Sequence, residues 1–192
     1  MKLIIQSILL TIVFTVLTGV LYPLAITGIA QLAFRDKANG SLIERDGKII
    51  GSELLAQPFT GARYFWPRPS AGGYATVPSG ASNLGPTSAA LQSNVAARAA
   101  AIRAANELPA DATVPADLLF TSGSGLDPHI SPEAARLQMA RVAAARGVSE
   151  ESIKALVERF IEPPQIGILG EPRVNVLLLN LALDTGVNRR AS

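Results

Sequence analysis

LIIQSILLTIVFTVLTGVLYPLAITGIAQLAF, residues 3–34, contains no charged side chain, whereas the 158 residues after it carry the usual mixture of a folded domain. As a helix this run would rise about 48 Å, and about 20 apolar residues are enough to cross the hydrocarbon of a bilayer. A buried core helix seldom extends this far without a charge. A cleaved signal would have a shorter apolar core, roughly 7–15 residues, followed by a small-x-small site. The nearest approach here, Ala30-Gln31-Leu32-Ala33, has the wrong spacing. The run therefore reads as an uncleaved membrane anchor. Gly19, Pro23 and Gly28 interrupt it: glycine permits close helix approach and proline permits a kink.

The expected organisation is a membrane anchor over residues 1–35, with the span inside 3–34, and one domain over 36–192. The expected fold class is a single N-terminal transmembrane helix plus a mixed α/β soluble domain with a small sheet. With 17 basic against 15 acidic residues, no segment is basic enough for nucleic acid. There is no cysteine, hence neither a disulfide framework nor a thiolate metal site, and only one histidine, His129. No metal site and no resident cofactor are expected. Lys2 and the α-amino group lie on one side of the span, Arg35 and Lys37 on the other. The positive-inside rule is decisive only for short loops, so charge leaves the sidedness open.

Beyond the anchor, an Asp46-Gly47 pair between Leu42–Glu44 and Lys48–Ile50 predicts a hairpin. Residues 58–86 hold five prolines and five glycines and read as a long ordered loop. A helix is expected over about 88–106 with Thr87 as cap, then a short strand over 117–121. A helix capped by Ser131 should run to Gly147, and one capped by Ser149 should run to about Ile161. Residues 165–169 suggest a strand. VNVLLLNLALD (174–184) is apolar on every side and should be buried, with Asn175 as cap.

Three stretches attract functional attention. YFWPRPSAGGY (64–74) concentrates Tyr64, Trp66 and Arg68, residue types that dominate protein interfaces because they bury large areas and keep a polar handle. The other readings are a loop folded over its own core, with Trp66 buried, and an aromatic belt at the membrane surface. SGSGLDPHISP (122–132) brings Ser122, Ser124, Asp127 and His129 close in sequence, which admits a membrane-anchored hydrolase using Ser124 and His129. Adjacency rarely gives triad geometry, and a tight turn, with glycine at positive φ and Asp127 bonding its own backbone, accounts for the same residues. No catalytic residue is assigned. GSELLAQ (51–57) is the third stretch.

Taken in order after an N-terminal span, YFWPRPSA, SGASNLGPT, SGSGLDPHISP, RVAAARG and LGEPRVNVLLLNLALD resemble the C subunit of the bacterial Kdp potassium-transporting ATPase, over essentially the whole chain. The resemblance implies a non-catalytic accessory subunit of a four-subunit inner-membrane complex. Its partners would be membrane lipid, a potassium-channel-like subunit, a P-type ATPase subunit and a small single-span subunit. It also implies a periplasmic soluble domain and support of ATP binding by the ATPase subunit. The candidate nucleotide contacts are Gln57 and Ser124; the candidate partner contacts are Tyr64, Trp66 and Arg68. Ala56 stands where the family usually has glycine before Gln57, which removes the close backbone approach of a phosphate loop. A periplasmic domain meets almost no ATP. The expectation is therefore an outside domain, with ATP acting through the complex.

Overall fold

In the computed structural model, which describes residues 1–186, the charge-free run is one continuous helix, Lys2–Ala33. None of its residues is buried, so its apolar surface has no partner among the described residues. It consists of α1 (Lys2–Val16), a π turn (Leu17–Leu21) and α2 (Tyr22–Ala33). The π turn has a local cause. Pro23 brings no N–H, and its ring would collide with the carbonyl four residues back, at Gly19. Widening the preceding turn relieves that crowding, and the Tyr22 N–H reaches back five residues to the Leu17 carbonyl. Ser7, Thr11 and Thr18 each donate their hydroxyl to the carbonyl four residues earlier, so these hydroxyl protons do not face lipid unpaired.

The chain divides into two compact units, Met1–Ser52 and a second beginning at Glu53. The first holds the long helix, the single turn α3 (Arg35–Ala38) and a hairpin of β1 (Leu42–Arg45) and β2 (Lys48–Ser52). Asp46 (φ 52°) and Gly47 (φ 72°) both adopt the left-handed conformation that a twist-matched two-residue turn requires.

The second unit packs helices on a three-stranded antiparallel sheet ordered β3-β5-β4. Its strands are β3 (His129–Ile130), β4 (Ile161–Glu162) and β5 (Arg173–Asn175). Its helices are α4 (Ala89–Ala105), α5 (Pro132–Leu137), α6 (Met139–Arg146), α7 (Glu150–Arg159) and α8 (Val176–Gly186). Ile153 and Val157 on α7, Val142 on α6, Leu179 and Leu183 on α8, Ile130, Val174 and Phe65 are fully buried or nearly so. Ala134 and Ala135 let α5 approach this cluster closely. The caps follow the sequence. Ser131 accepts from the Ala134 N–H, Ser149 from Ser152, and Asn175 from Leu178. Gly147 ends α6 at φ 66°.

Four local expectations are corrected. The cap of α4 is Ser88, not Thr87. Residues 117–121 are not a strand. Ala116–Leu118 is a single 3-10 turn, which leaves the Asp117 carboxylate free to bind the Ser131 N–H at 2.6 Å. The helix expected from Ser131 to Gly147 breaks at Gln138, whose side chain is used elsewhere. Residues 165–169 close on themselves through one bridge between Gln165 and Leu169 instead of joining the sheet.

Candidate functional site

The loop from Phe59 to Pro86 has no regular secondary structure, yet its YFWPRP stretch is buried or half-buried throughout. An extended backbone inside a core needs partners for its N–H and C=O groups. Here two side-chain amides supply them. Asn180 of α8 accepts the Phe65 N–H at 2.8 Å and donates to the Phe65 carbonyl at 2.9 Å. Gln138, between α5 and α6, accepts the Trp66 N–H at 2.8 Å and donates to the Trp66 carbonyl at 3.3 Å. Both amides are buried. Each stands in for a neighbouring strand.

Arg141 continues the arrangement. Its guanidinium donates to the carbonyls of Ala62 (2.6 Å) and Tyr64 (3.0 Å), to Asn106 Oδ1 (3.0 Å) and to Gln138 Oε1 (2.7 Å). It also lies 4.3 Å above the Trp66 ring. Burial pulls its pKa down to about 10, so it remains charged at neutral pH. Arg146 does the same for the preceding residues. It donates to the Arg63 and Leu183 carbonyls, pairs with Asp184 at 2.8 Å and covers the Tyr64 ring at 5.1 Å.

All three candidate interface residues are thus engaged within the domain. The Tyr64 hydroxyl donates to Asp184, and Trp66 Nε1 donates to the Gly61 carbonyl. Arg68 pairs with Asp127 at 2.9 Å. Trp66 and Arg68 still reach solvent, at two separate clefts. Trp66 lines an apolar cleft of about 270 Å³ with Phe59, Pro67, Tyr74, Ile102 and Leu118. Arg68 lines a polar one of about 1060 Å³ with Asp117, Asp127, His129, Glu133 and Arg173.

The glycine-rich segment adopts the tight-turn arrangement. The Ser122 N–H bonds the Pro69 carbonyl, and Gly125 (φ 71°) lies so close to the Gly80 carbonyl that a Cβ would stand 2.9 Å from it. The segment therefore clasps the long loop. Asp127 accepts the His129 backbone N–H at 3.0 Å and lies 3.3 Å from His129 Nδ1. The Ser124 hydroxyl accepts the Leu126 N–H. Among the described residues no hydrogen bond joins Ser124 to His129. The Ala56 N–H bonds the Leu126 carbonyl, which brings the Gln57 and Ser124 segments side by side, and the Ala56 methyl is buried there.

Burial pushes the Asp127 carboxyl up, but hydrogen bonds from His129 and Arg68 outweigh it and hold it at about 2, against an ordinary 3.8. A folded-state value below the unfolded one means stability that is present above about pH 4 and is lost as pH falls through 2. The expected contribution is about 1–2 kcal/mol. Asp127→Asn should lower the thermal midpoint of the detergent-solubilised chain at pH 6 and flatten its fall between pH 4 and 2. An unchanged acid limb would refute the assignment.

The model of the family described as "K+-transporting ATPase, c chain", KdpC, matches residues 4–185. The chain belongs to the KdpC family. Potassium-transporting ATPase KdpC subunits similar to it include that of Rhodospirillum rubrum, 61% identical over 88% of this chain and 89% of the relative. That of Sorangium cellulosum is 55% identical, and that of Mycobacterium tuberculosis strain H37Rv 52% identical, each over 93% of this chain and 95% of the relative. KdpC membership makes the chain a subunit of a potassium-transporting ATPase, carrying one apolar N-terminal helix suited to anchoring it in a membrane. The sequence had pointed to the aromatic loop but not to the residues that hold it. Gln138, Arg141 and Asn180 were readable only as polar exceptions on apolar helical faces.

Proposed function

We propose that this KdpC-family chain is the non-catalytic accessory subunit of an ATP-driven potassium-uptake complex in the cell inner membrane. It supports assembly of the complex and ATP turnover by the P-type ATPase subunit. The potassium-channel-like subunit and the small single-span subunit are its other partners. The observation that carries this reading is the match to the family over residues 4–185, anchor and second unit together. The second unit lies on the periplasmic side, so ATP bears on this chain only through the complex. Its effect on nucleotide affinity is then a coupling between sites, which requires that it touch a subunit whose state changes. Solvent-facing parts of Trp66 and Arg68, at the mouths of the two clefts, are the surfaces suited to that contact.

Sidedness tests it. The chain has no cysteine, so one placed at exposed Ser79 is a unique label site. In right-side-out spheroplasts containing a complex that transports potassium, a membrane-impermeant maleimide is expected to label Ser79→Cys without lysis. Labelling only after lysis would put the unit in the cytoplasm and return Gln57 and Ser124 to consideration as direct nucleotide contacts.

A further inference from the structure

Between Glu162 and Glu171 the chain reads PPQIGILG, eight residues without a charge. They form a closed turn. The Gln165 N–H bonds the Leu169 carbonyl at 2.8 Å, and the Leu169 N–H bonds back to Gln165 at 2.9 Å. The turn displays apolar side chains to water: Ile166 is 88% exposed, Ile168 82% and Leu169 55%. Ile166 also sits at φ 55°, left-handed backbone in which a β-branched residue is a genuine outlier. Glycine or asparagine would make the same turn without that strain. An isoleucine there neither fills the core nor suits the backbone, so folding gives it no role.

We propose that this tip inserts into an apolar pocket with a basic rim on another subunit of the transport complex. The proposal rests on the assembly reading above. The occupant follows from charge and area. The tip is uncharged, and of its flanking carboxylates Glu162 is paired with Arg173 while Glu171 has no ion-pair partner among the described residues. That leaves one net negative charge, on Glu171, at the base of the tip. It disfavours anionic lipid, and the tip carries no Trp, Tyr, Lys or Arg, the residues that anchor at a bilayer surface. Three side chains also fall well short of the roughly 800 Å² per partner that a self-standing pair needs. They suit a peg on a subunit already held by other contacts, where it fixes register.

The test uses the full complex, solubilised in mild detergent and immobilised through its ATPase subunit, with loss of this chain followed on washing. Ile168→Asp is expected to leave at least about tenfold faster than the parent, and Val77→Asp, an equally exposed site, at the parent rate. Ile166→Gly separates docking from folding: it should unfold at the same or a higher temperature yet dissociate faster. Dissociation of Ile168→Asp at the parent rate would overturn the peg alone, whereas failure of the parent chain to be retained would overturn the assembly reading with it. A bimane label on Ile168→Cys should shift to the blue in the complex. It should stay water-like when the chain alone is placed in phosphatidylethanolamine–phosphatidylglycerol vesicles. A blue shift in those vesicles would mean lipid is the occupant and would overturn the proposal.

Discussion

Arg141→Met is expected to cost about 3–5 kcal/mol, a large share of the roughly 5–15 kcal/mol that holds a domain of this size together. The substitution keeps the apolar stem and the volume but removes every donor. The carbonyls of Ala62 and Tyr64 and the side-chain oxygen of Asn106 then lose this donor together, and Gln138 Oε1 keeps only the Trp66 N–H. Asn106 and Gln138 are buried, and the Asn106 oxygen, left without its donor, costs its desolvation in full. The Trp66 ring loses its cation as well. In the full chain in detergent the thermal midpoint of the second unit should fall by about 10 °C or more. Arg141→Lys should recover only part of that. An ammonium keeps the charge but cannot direct Nε at Asn106 while its terminal nitrogens serve Gln138 and the loop carbonyls. If the methionine variant melts with the parent, the guanidinium is not what holds the YFWPRP loop. If lysine equals arginine, charge alone suffices and the fork geometry is irrelevant.

The contrast between Arg141 and the anchor shows what a sequence discloses. The helix Lys2–Ala33 was legible because its signal is collective: every position in 3–34 lacks charge, and no tertiary contact is needed to interpret that. The hairpin was legible because Asp46-Gly47 states its own backbone conformation. Ser131, Ser149 and Asn175 announce their helices through bonds three residues away. What stayed hidden depends on distance along the chain. Asn180 meets Phe65 across 115 residues, and Gln138 meets Trp66 across 72. Neither periodicity nor propensity carries that information. The break at Gln138 and the 3-10 turn at Ala116–Leu118 have the same origin. In each, a polar side chain is committed to a distant backbone group, and the local element yields to it. The candidate site was half legible. The aromatic loop stood out by composition, but that its aromatics and arginine are tied inward could be read only from the helices that face it.

Asn180→Leu isolates the other half of that arrangement. Leucine has the same number and branching of side-chain heavy atoms, with bulkier methyl ends, and suits the apolar face of α8, so propensity and hydrophobicity alone would favour the change. The geometry says otherwise. The Phe65 N–H and carbonyl are both closed off from water and both bond to Asn180, so the variant should lose about 2–5 kcal/mol. Asn180→Asp gives the test a sign. An ionised carboxylate still accepts the Phe65 N–H but faces the Phe65 carbonyl without a proton. A protonated one restores both bonds. Its folded-state pKa would therefore be raised, and stability should be gained as pH falls through that raised value. Between pH 8 and 5 the thermal midpoint of the aspartate variant should rise relative to the parent, while that of the leucine variant should stay uniformly low. A leucine variant as stable as the parent would mean water or a shifted loop satisfies Phe65. An aspartate variant with no pH response would mean the side chain at this position does not face the Phe65 carbonyl. Either result would remove the basis for treating the loop as a strand completed by helix side chains.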